Sequence, residues 1–149
     1  MTTVSAKNMD PLIREIVWRF GAQGIKGECC GDLTAPEVRA LRWANAHDKC
    51  SMQHIAQALG FTKSGATRIV DRLEKKGLLQ RMRSQEDGRV CCVELTSSGL
   101  SMVERINREN EGRLAEILSK IDPAMQQVLH ASLLYFVQAM QDEGKKTAN

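Results

Sequence analysis

Residues 51–78 read SMQHIAQALGFTKSGATRIVDRLEKKGL, and their pattern decides the fold. Ser51 is a good N-cap for a short helix with apolar positions at Ile55, Ala58 and Leu59. Gly60 breaks that helix, and Thr62 caps the next one. The second helix turns Ala66, Ile69, Val70 and Leu73 inward, runs through Lys76, and meets Gly77 as its C-terminal glycine. A short helix, a tight turn at a small residue and a helix opening on short polar side chains make a helix-turn-helix pattern. The opening run Thr62-Lys63-Ser64-Gly65-Ala66-Thr67-Arg68 suits a major groove. Small residues let the backbone approach, while Lys63, Thr67 and Arg68 can donate to phosphates and base edges. An ordinary helical hairpin with a solvated basic face fits these two helices as well.

The next residues separate the two readings. Leu78 to Arg83 partly alternates, Ser84-Gln85-Glu86-Asp87-Gly88 is a turn, and Val90 to Leu95 is β-rich. That is a β-hairpin with a charged tip, the wing that a winged helix-turn-helix carries. Charge follows the same boundary. Residues 61–89 hold eight basic side chains (Lys63, Arg68, Arg72, Lys75, Lys76, Arg81, Arg83, Arg89) against four acidic ones, a net +4. The rest of the chain carries −1, so the whole excess of +3 lies in this fifth of the sequence. A nucleic-acid-binding surface has that distribution.

Helices extend on both sides. Asp10-Pro11 reads as an N-cap followed by proline at the first helical position. From there Leu12, Ile13, Ile16, Val17 and Phe20 form an apolar stripe that predicts a helix to about Ile25. Thr34 and Glu37 make a capping-box pattern for a helix that fades by Ala46, with Val38, Leu41 and Trp43 packing. After the hairpin, Thr96 starts a long helix through Leu100, Val103, Ile106, Asn110, Leu114, Ile117 and Ile121. Asp122-Pro123 ends it and starts another, with Met125, Val128, Leu129, Leu133, Phe136, Val137 and Met140 on one face. The terminal stripes exceed what a small winged helix needs to cover itself. A second copy could bury them across a two-fold axis, or they could pack within one subunit.

Composition narrows the class. At 149 residues the chain suits one domain-sized core, and 42% hydrophobic with 26% charged residues reads as globular. Aromatics at 4% call for an aliphatic, helical core. No apolar run approaches a membrane span, and Met1 to Asp10 has no signal-peptide core, so the expected location is cytoplasmic. No phosphate-cradling glycine loop, Gly-x-Ser-x-Gly or His-Glu-x-x-His motif is present, and His47, His54 and His130 do not cluster, so an enzyme is not expected.

The sequence resembles the MarR family of bacterial winged-helix regulators. The likeness rests on Ile55-Ala56-Gln57-Ala58-Leu59-Gly60 and on Ser64 with Thr67-Arg68-Ile69-Val70-Asp71-Arg72-Leu73-Glu74-Lys75-Lys76-Gly77-Leu78. It continues through Arg81, Asp87-Gly88-Arg89 and Leu95-Thr96-Ser97-Ser98-Gly99. The implied fold is mainly α with a small β-hairpin wing: a single MarR-like chain over 1–149, with a winged helix-turn-helix DNA-binding lobe at 34–96 and dimerisation helices at 10–26 and 97–143. The implied function is a homodimeric transcriptional regulator of double-stranded DNA, usually a repressor on a pseudo-palindromic operator, released by a ligand or by oxidation. Expected DNA-binding residues are Ser51, Thr62, Lys63, Ser64, Gly65, Thr67, Arg68, Arg72, Gln85 and Arg89. Arg89 matches the wing arginine that reaches the minor groove, or it shapes the wing by pairing with Asp87. Asp71 and Arg72 match family positions that serve folding and wing support as well as reading. The alternative is a winged-helix protein-interaction module without DNA binding.

The five cysteines leave the effector open. Their number is odd and small, which points to reduced thiols. The resemblance puts Cys50 in a short strand beside the wing strand that carries Cys91 and Cys92, so one of that pair could approach Cys50. Cys29-Cys30 lies in a polar loop. Packing as small hydrophobes is one reading of Cys50 and of one wing cysteine. Metal or redox sensing by Cys29, Cys30, Cys50, Cys91 and Cys92 is another, with a soft metal ion or an oxidant as the signal. Glu28, Asp32, His47 and His54 are available to add ligands, although the spacings match no paired Cys-x-x-Cys zinc pattern. A small aromatic effector in the family's pocket is the third.

Overall fold

The computed structural model describes residues 4–21, 32–47, 50–83 and 91–146. Two units divide the chain, Met1–Asn110 and Glu111–Asn149, and the division falls within a long helix. In the first unit α1 spans Ala6–Phe20, α2 Ala35–Ala46, β1 Cys50–Ser51, α3 Met52–Leu59, α4 Lys63–Lys75, β2 Leu79–Arg83 and β3 Cys91–Leu95. Helix α5, Ser97–Leu118, follows, and α6 is Pro123–Lys146.

The first helix corrects the expectation drawn from Asp10-Pro11. It begins five residues earlier, because the Ser5 hydroxyl accepts the Lys7 amide and supplies the cap. Asp10 therefore sits inside the helix, where it pairs with Arg14 one turn on at 2.9 Å. Pro11 is tolerated there despite its missing N–H. The helix stops at Phe20, with the Gly21 amide on the Val17 carbonyl, rather than reaching Ile25. None of its residues is buried.

The other starts and stops fall where local chemistry puts them. Glu37 accepts the Thr34 amide at 2.7 Å, and Ser51, Thr62 and Thr96 cap α3, α4 and α5 through their hydroxyls. Gly60 (φ 67°) and Gly77 (φ 71°) take the left-handed conformation that ends α3 and α4. After Gly60 the Phe61 amide returns to Ala56, and after Gly77 the Leu78 amide returns to Leu73, both at 2.9 Å. The sheet is antiparallel in the order β1-β3-β2, with Arg81 opposite Val93 and Ser51 opposite Cys92.

The core is aliphatic and lies between residues 33 and 106. Leu41 and Ala40 of α2, Ile55 of α3, Ala66, Val70 and Leu73 of α4, Leu79 and Val93 of the sheet, and Val103 and Ile106 of α5 meet there. Trp43, Leu59 and Leu95 pack at its edge. On α3 the expected inward Ala58 is only half-buried, and Ala56 takes the buried place.

The second unit comprises the end of α5 and all of α6. Its turn is closed by the Gln126 side-chain amide, which donates to the Leu118 and Ile121 carbonyls at 2.9 Å each. Asp122 caps α6 through the Ala124 amide, as expected for Asp-Pro. Met125, Val128, Leu129, Leu133, Phe136, Val137 and Met140 are all exposed in this single chain, as are Leu134 and Tyr135. No helix among the described residues is long and apolar enough to cross a membrane.

Candidate nucleic-acid interface

Helix α4 divides cleanly by side. Ala66, Ile69, Val70 and Leu73 face the core, while Lys63, Ser64 and Arg68 are exposed on the other side. Gly65 lies between them, half-buried. A side chain there would begin 3.3 Å from the Thr62 hydroxyl oxygen and 3.5 Å from the Phe61 Cβ. The bare glycine keeps this end of the helix thin, as close approach to another surface requires.

Hydroxyls at this end work locally. Thr62 accepts the Gly65 amide and lies 3.1 Å from the Ser64 hydroxyl. Thr67 donates to the Lys63 carbonyl at 2.8 Å, and Ser51 accepts the His54 amide. Capping leaves the Ser51 O–H, and one of the paired Thr62 and Ser64 O–H groups, available to a phosphate oxygen. Gln85 and Arg89 of the expected set lie outside the described residues.

Arg72 is bound to the fold. Its Nε donates to Glu37 Oε1 at 3.0 Å, and Lys76 Nζ reaches Glu37 Oε2 at 3.4 Å. Glu37 is 1% exposed, so this is a buried carboxylate joining α2 to α4. Burial pushes its carboxyl up. The Thr34 amide, the Arg72 guanidinium, the Thr34 hydroxyl and the Lys76 charge outweigh that, and the net position is below the ordinary 4.5. Lys76 also donates to the Asp32 carbonyl at 3.0 Å. Glu37 had a capping role from its spacing. Its second role needed contacts 35 and 39 residues away.

In the sequence Arg81 is a positive charge and a family match, and the structure gives it a position. It lies on β2 between two carboxylates of α4, bonding Asp71 through one guanidinium nitrogen and Glu74 through the other. Among the described residues, the basic side chains of 61–89 then fall into two sets. Arg72, Lys76 and Arg81 hold intramolecular ion pairs, whereas no ion pair is formed by Lys63, Arg68, Lys75 or Arg83.

The thiols divide as well. Cys50 and Cys92 are buried, and Cys50 Sγ donates to the His47 carbonyl at 3.0 Å. The register gives Cys50 Val93 as its cross-strand partner and sets Cys92 across from Ser51, so Cys92 is not the one that faces Cys50. Cys29 and Cys30 lie outside the described residues, and Cys91 is described by its backbone alone. His47 stacks on Trp43, and Asp32 pairs with Lys76. Among the described residues no three His, Cys, Asp or Glu gather to hold a metal ion.

A helix-turn-helix followed by an antiparallel hairpin defines a winged-helix protein. Residues 33–91 match the model of the MarR family. PapX, an HTH-type transcriptional regulator of Escherichia coli, is 38% identical over 102 residues, covering 68% of this chain and 58% of PapX. YfiV, an uncharacterised HTH-type regulator of Bacillus subtilis, is 27% identical over 115 residues, 77% of this chain and 72% of YfiV. Among solved structures, FabT of Streptococcus pneumoniae in complex with DNA superposes with a TM-score of 0.77 at 19% identity, over 93% of this chain and 99% of FabT. The match to the MarR family covers residues 33–91, about two fifths of the chain, and the stretch aligned with PapX spans about three fifths of PapX.

Proposed function

We propose that this protein is a transcriptional regulator that binds double-stranded DNA as a homodimer, with α4 as the recognition helix. The observation that carries the reading is the exposed end of α4. Lys63, Ser64 and Arg68 surround a glycine there, on a helix whose other side is locked into the core. In this reading Arg68 reads base edges, and Lys63, the Ser51 hydroxyl and one of the paired Thr62 and Ser64 hydroxyls grip phosphates, joined by Thr67 once its hydroxyl leaves the Lys63 carbonyl. Gln85 and Arg89 extend the proposed contacts along the wing. PapX is named a transcriptional regulator and FabT is seen on DNA, which supports the same reading.

Two half-sites about one helical turn apart, roughly 10 bp, suit a two-fold dimer. Repression of a pseudo-palindromic operator is the regulatory mode we propose, with release by a small effector. Burial of Cys50 and Cys92 favours packing for those two, so thiol sensing rests on Cys29, Cys30 and Cys91. Selecting duplexes from a randomised pool and measuring their affinity by gel shift tests the proposal. A selected palindrome whose binding is weakened by Arg68→Ala supports it. Recovery of no duplex would instead favour a protein-interaction module.

A further inference from the structure

Asp71 and Glu74 are three residues apart on α4, so their carboxylates leave the helix on one stripe. Arg81 is the middle residue of β2 and stands opposite Val93 of β3, where the hairpin is fully paired. Its guanidinium fork takes Asp71 with one nitrogen and Glu74 with the other. The side chains are neither buried nor bare: Arg81 is 29% exposed, Asp71 45% and Glu74 39%. A planar fork that grips two anchored acceptors fixes direction as well as distance. A lysine, as a point charge on a flexible stem, would fix only distance.

We propose that Arg81 is a positioning residue that sets the wing strands at a fixed angle to the recognition helix, so that wing and helix meet DNA as one rigid body. The inference rests on the DNA-binding reading. It assigns Arg81 a role through the wing rather than a contact with phosphate, and it makes Asp71 and Glu74 favourable to operator binding. That last point runs against simple electrostatics. Two carboxylates on the helix presented to a polyanion should weaken binding, and their removal should strengthen it.

The sign of one double variant therefore decides the matter. Asp71→Ala/Glu74→Ala removes two negative charges together with the two carboxylates that hold Arg81. The measurements are affinity for the duplex selected by the wild-type protein, affinity for a generic duplex of equal length, and a hydroxyl-radical footprint. We expect operator affinity to fall on the order of tenfold and generic affinity to hold or rise. Protection should be lost at the flanks of each half-site and kept at the centre. Arg81→Met should give the same footprint, with melting followed to show that both variants are folded at the assay temperature. Operator binding by the double variant at or above the wild-type level, or with the full footprint, overturns the proposal. Loss of folding in both variants overturns it too, since Arg81 would then be holding the domain rather than aiming the wing. Amide exchange of β2 and β3 without DNA keeps this test apart from that of the proposed function. Faster exchange in the double variant, beside a wild-type protein that selects no duplex, supports the clamp and overturns only the DNA reading.

Discussion

Glu37 is a carboxylate almost without contact with water, and it holds two cations of another helix. Removing one partner from a buried pair leaves the others uncompensated, which costs more than the pair contributes. Arg72 is half-exposed, so solvent screens part of that cost. Glu37→Gln keeps the shape and an acceptor for the Thr34 amide but loses the charge. It should destabilise the protein by about 1–2 kcal/mol at pH 7, read from urea unfolding. The pH dependence has a definite sign. A carboxyl lowered in the folded state binds its proton more weakly there than in the unfolded chain. Its stabilisation is complete above the ordinary value of 4.5 and is lost as pH falls through the depressed folded value. The gap between wild type and Glu37→Gln should therefore close in acid. A gap of constant size down to the acid transition would show that the charge does not matter. Gly99 poses a steric question at the same scale. A Cβ there would lie 2.0 Å from the Leu78 carbonyl oxygen, a backbone atom with nowhere to go. Gly99→Ala should cost about 1–3 kcal/mol in the same assay despite the better helix propensity of alanine.

At the scale of elements, most of the fold could be read because its boundaries are local. Thr34, Ser51, Thr62 and Thr96 announce helix starts, Gly60 and Gly77 announce ends, and each signal needs only its neighbours. The start of α1 is not legible in the same way, because two signals compete. Asp10-Pro11 is a good cap pair, but Ser5 offers a hydroxyl earlier and Pro11 at the sixth position was not enough to stop the helix. The site divides by the same logic. Exposure of Lys63, Ser64 and Arg68 follows from the apolar period of α4, which sends those positions outward. That Arg72 and Arg81 serve as internal ties depends on Glu37, Asp71 and Glu74 being brought close by the fold, and charge counting cannot tell a tie from a grip. The distinction has a consequence for binding. If Lys63, Arg68, Lys75 and Arg83 are the cations that meet phosphate in this part of the chain, the salt dependence should reflect those and not all eight basic residues. Each phosphate contact contributes roughly 0.9 to the slope of log K against log salt. Lys75→Ala or Arg68→Ala should lower the slope by about 1 per subunit, while Arg72→Met, which removes a cation tied to Glu37, should leave it unchanged. A fall in slope for Arg72→Met would mean that the arginine leaves its carboxylate to grip DNA.

For the whole molecule, the question is what covers the two ends. The core is closed within residues 33–106, and neither α1 nor the described part of α6 contributes a buried residue to it. Yet α1 exposes Leu12, Ile16, Val17 and Trp18, and α6 exposes nine large apolar side chains, with Tyr135 at 78%. Apolar surface on that scale is rare on a monomer and normal at a subunit interface. Because every residue of the core lies in the first unit and α6 lies in the second, dimerisation and folding should be separable. A chain ending at Asp122 should keep a cooperative melting transition and helical circular dichroism, yet scatter light as a monomer where the full chain scatters as a dimer. Leu133→Asp in the full chain repeats the test without a new terminus, because it puts a charge into the proposed interface at an exposed position. Half-site spacing then links assembly to recognition. A monomeric variant can hold only one half-site, so its operator affinity should drop steeply while its affinity for an isolated half-site stays the same. A folded dimer without α6 would place the interface elsewhere on the chain. A folded monomer with full operator affinity would separate DNA binding from dimerisation altogether.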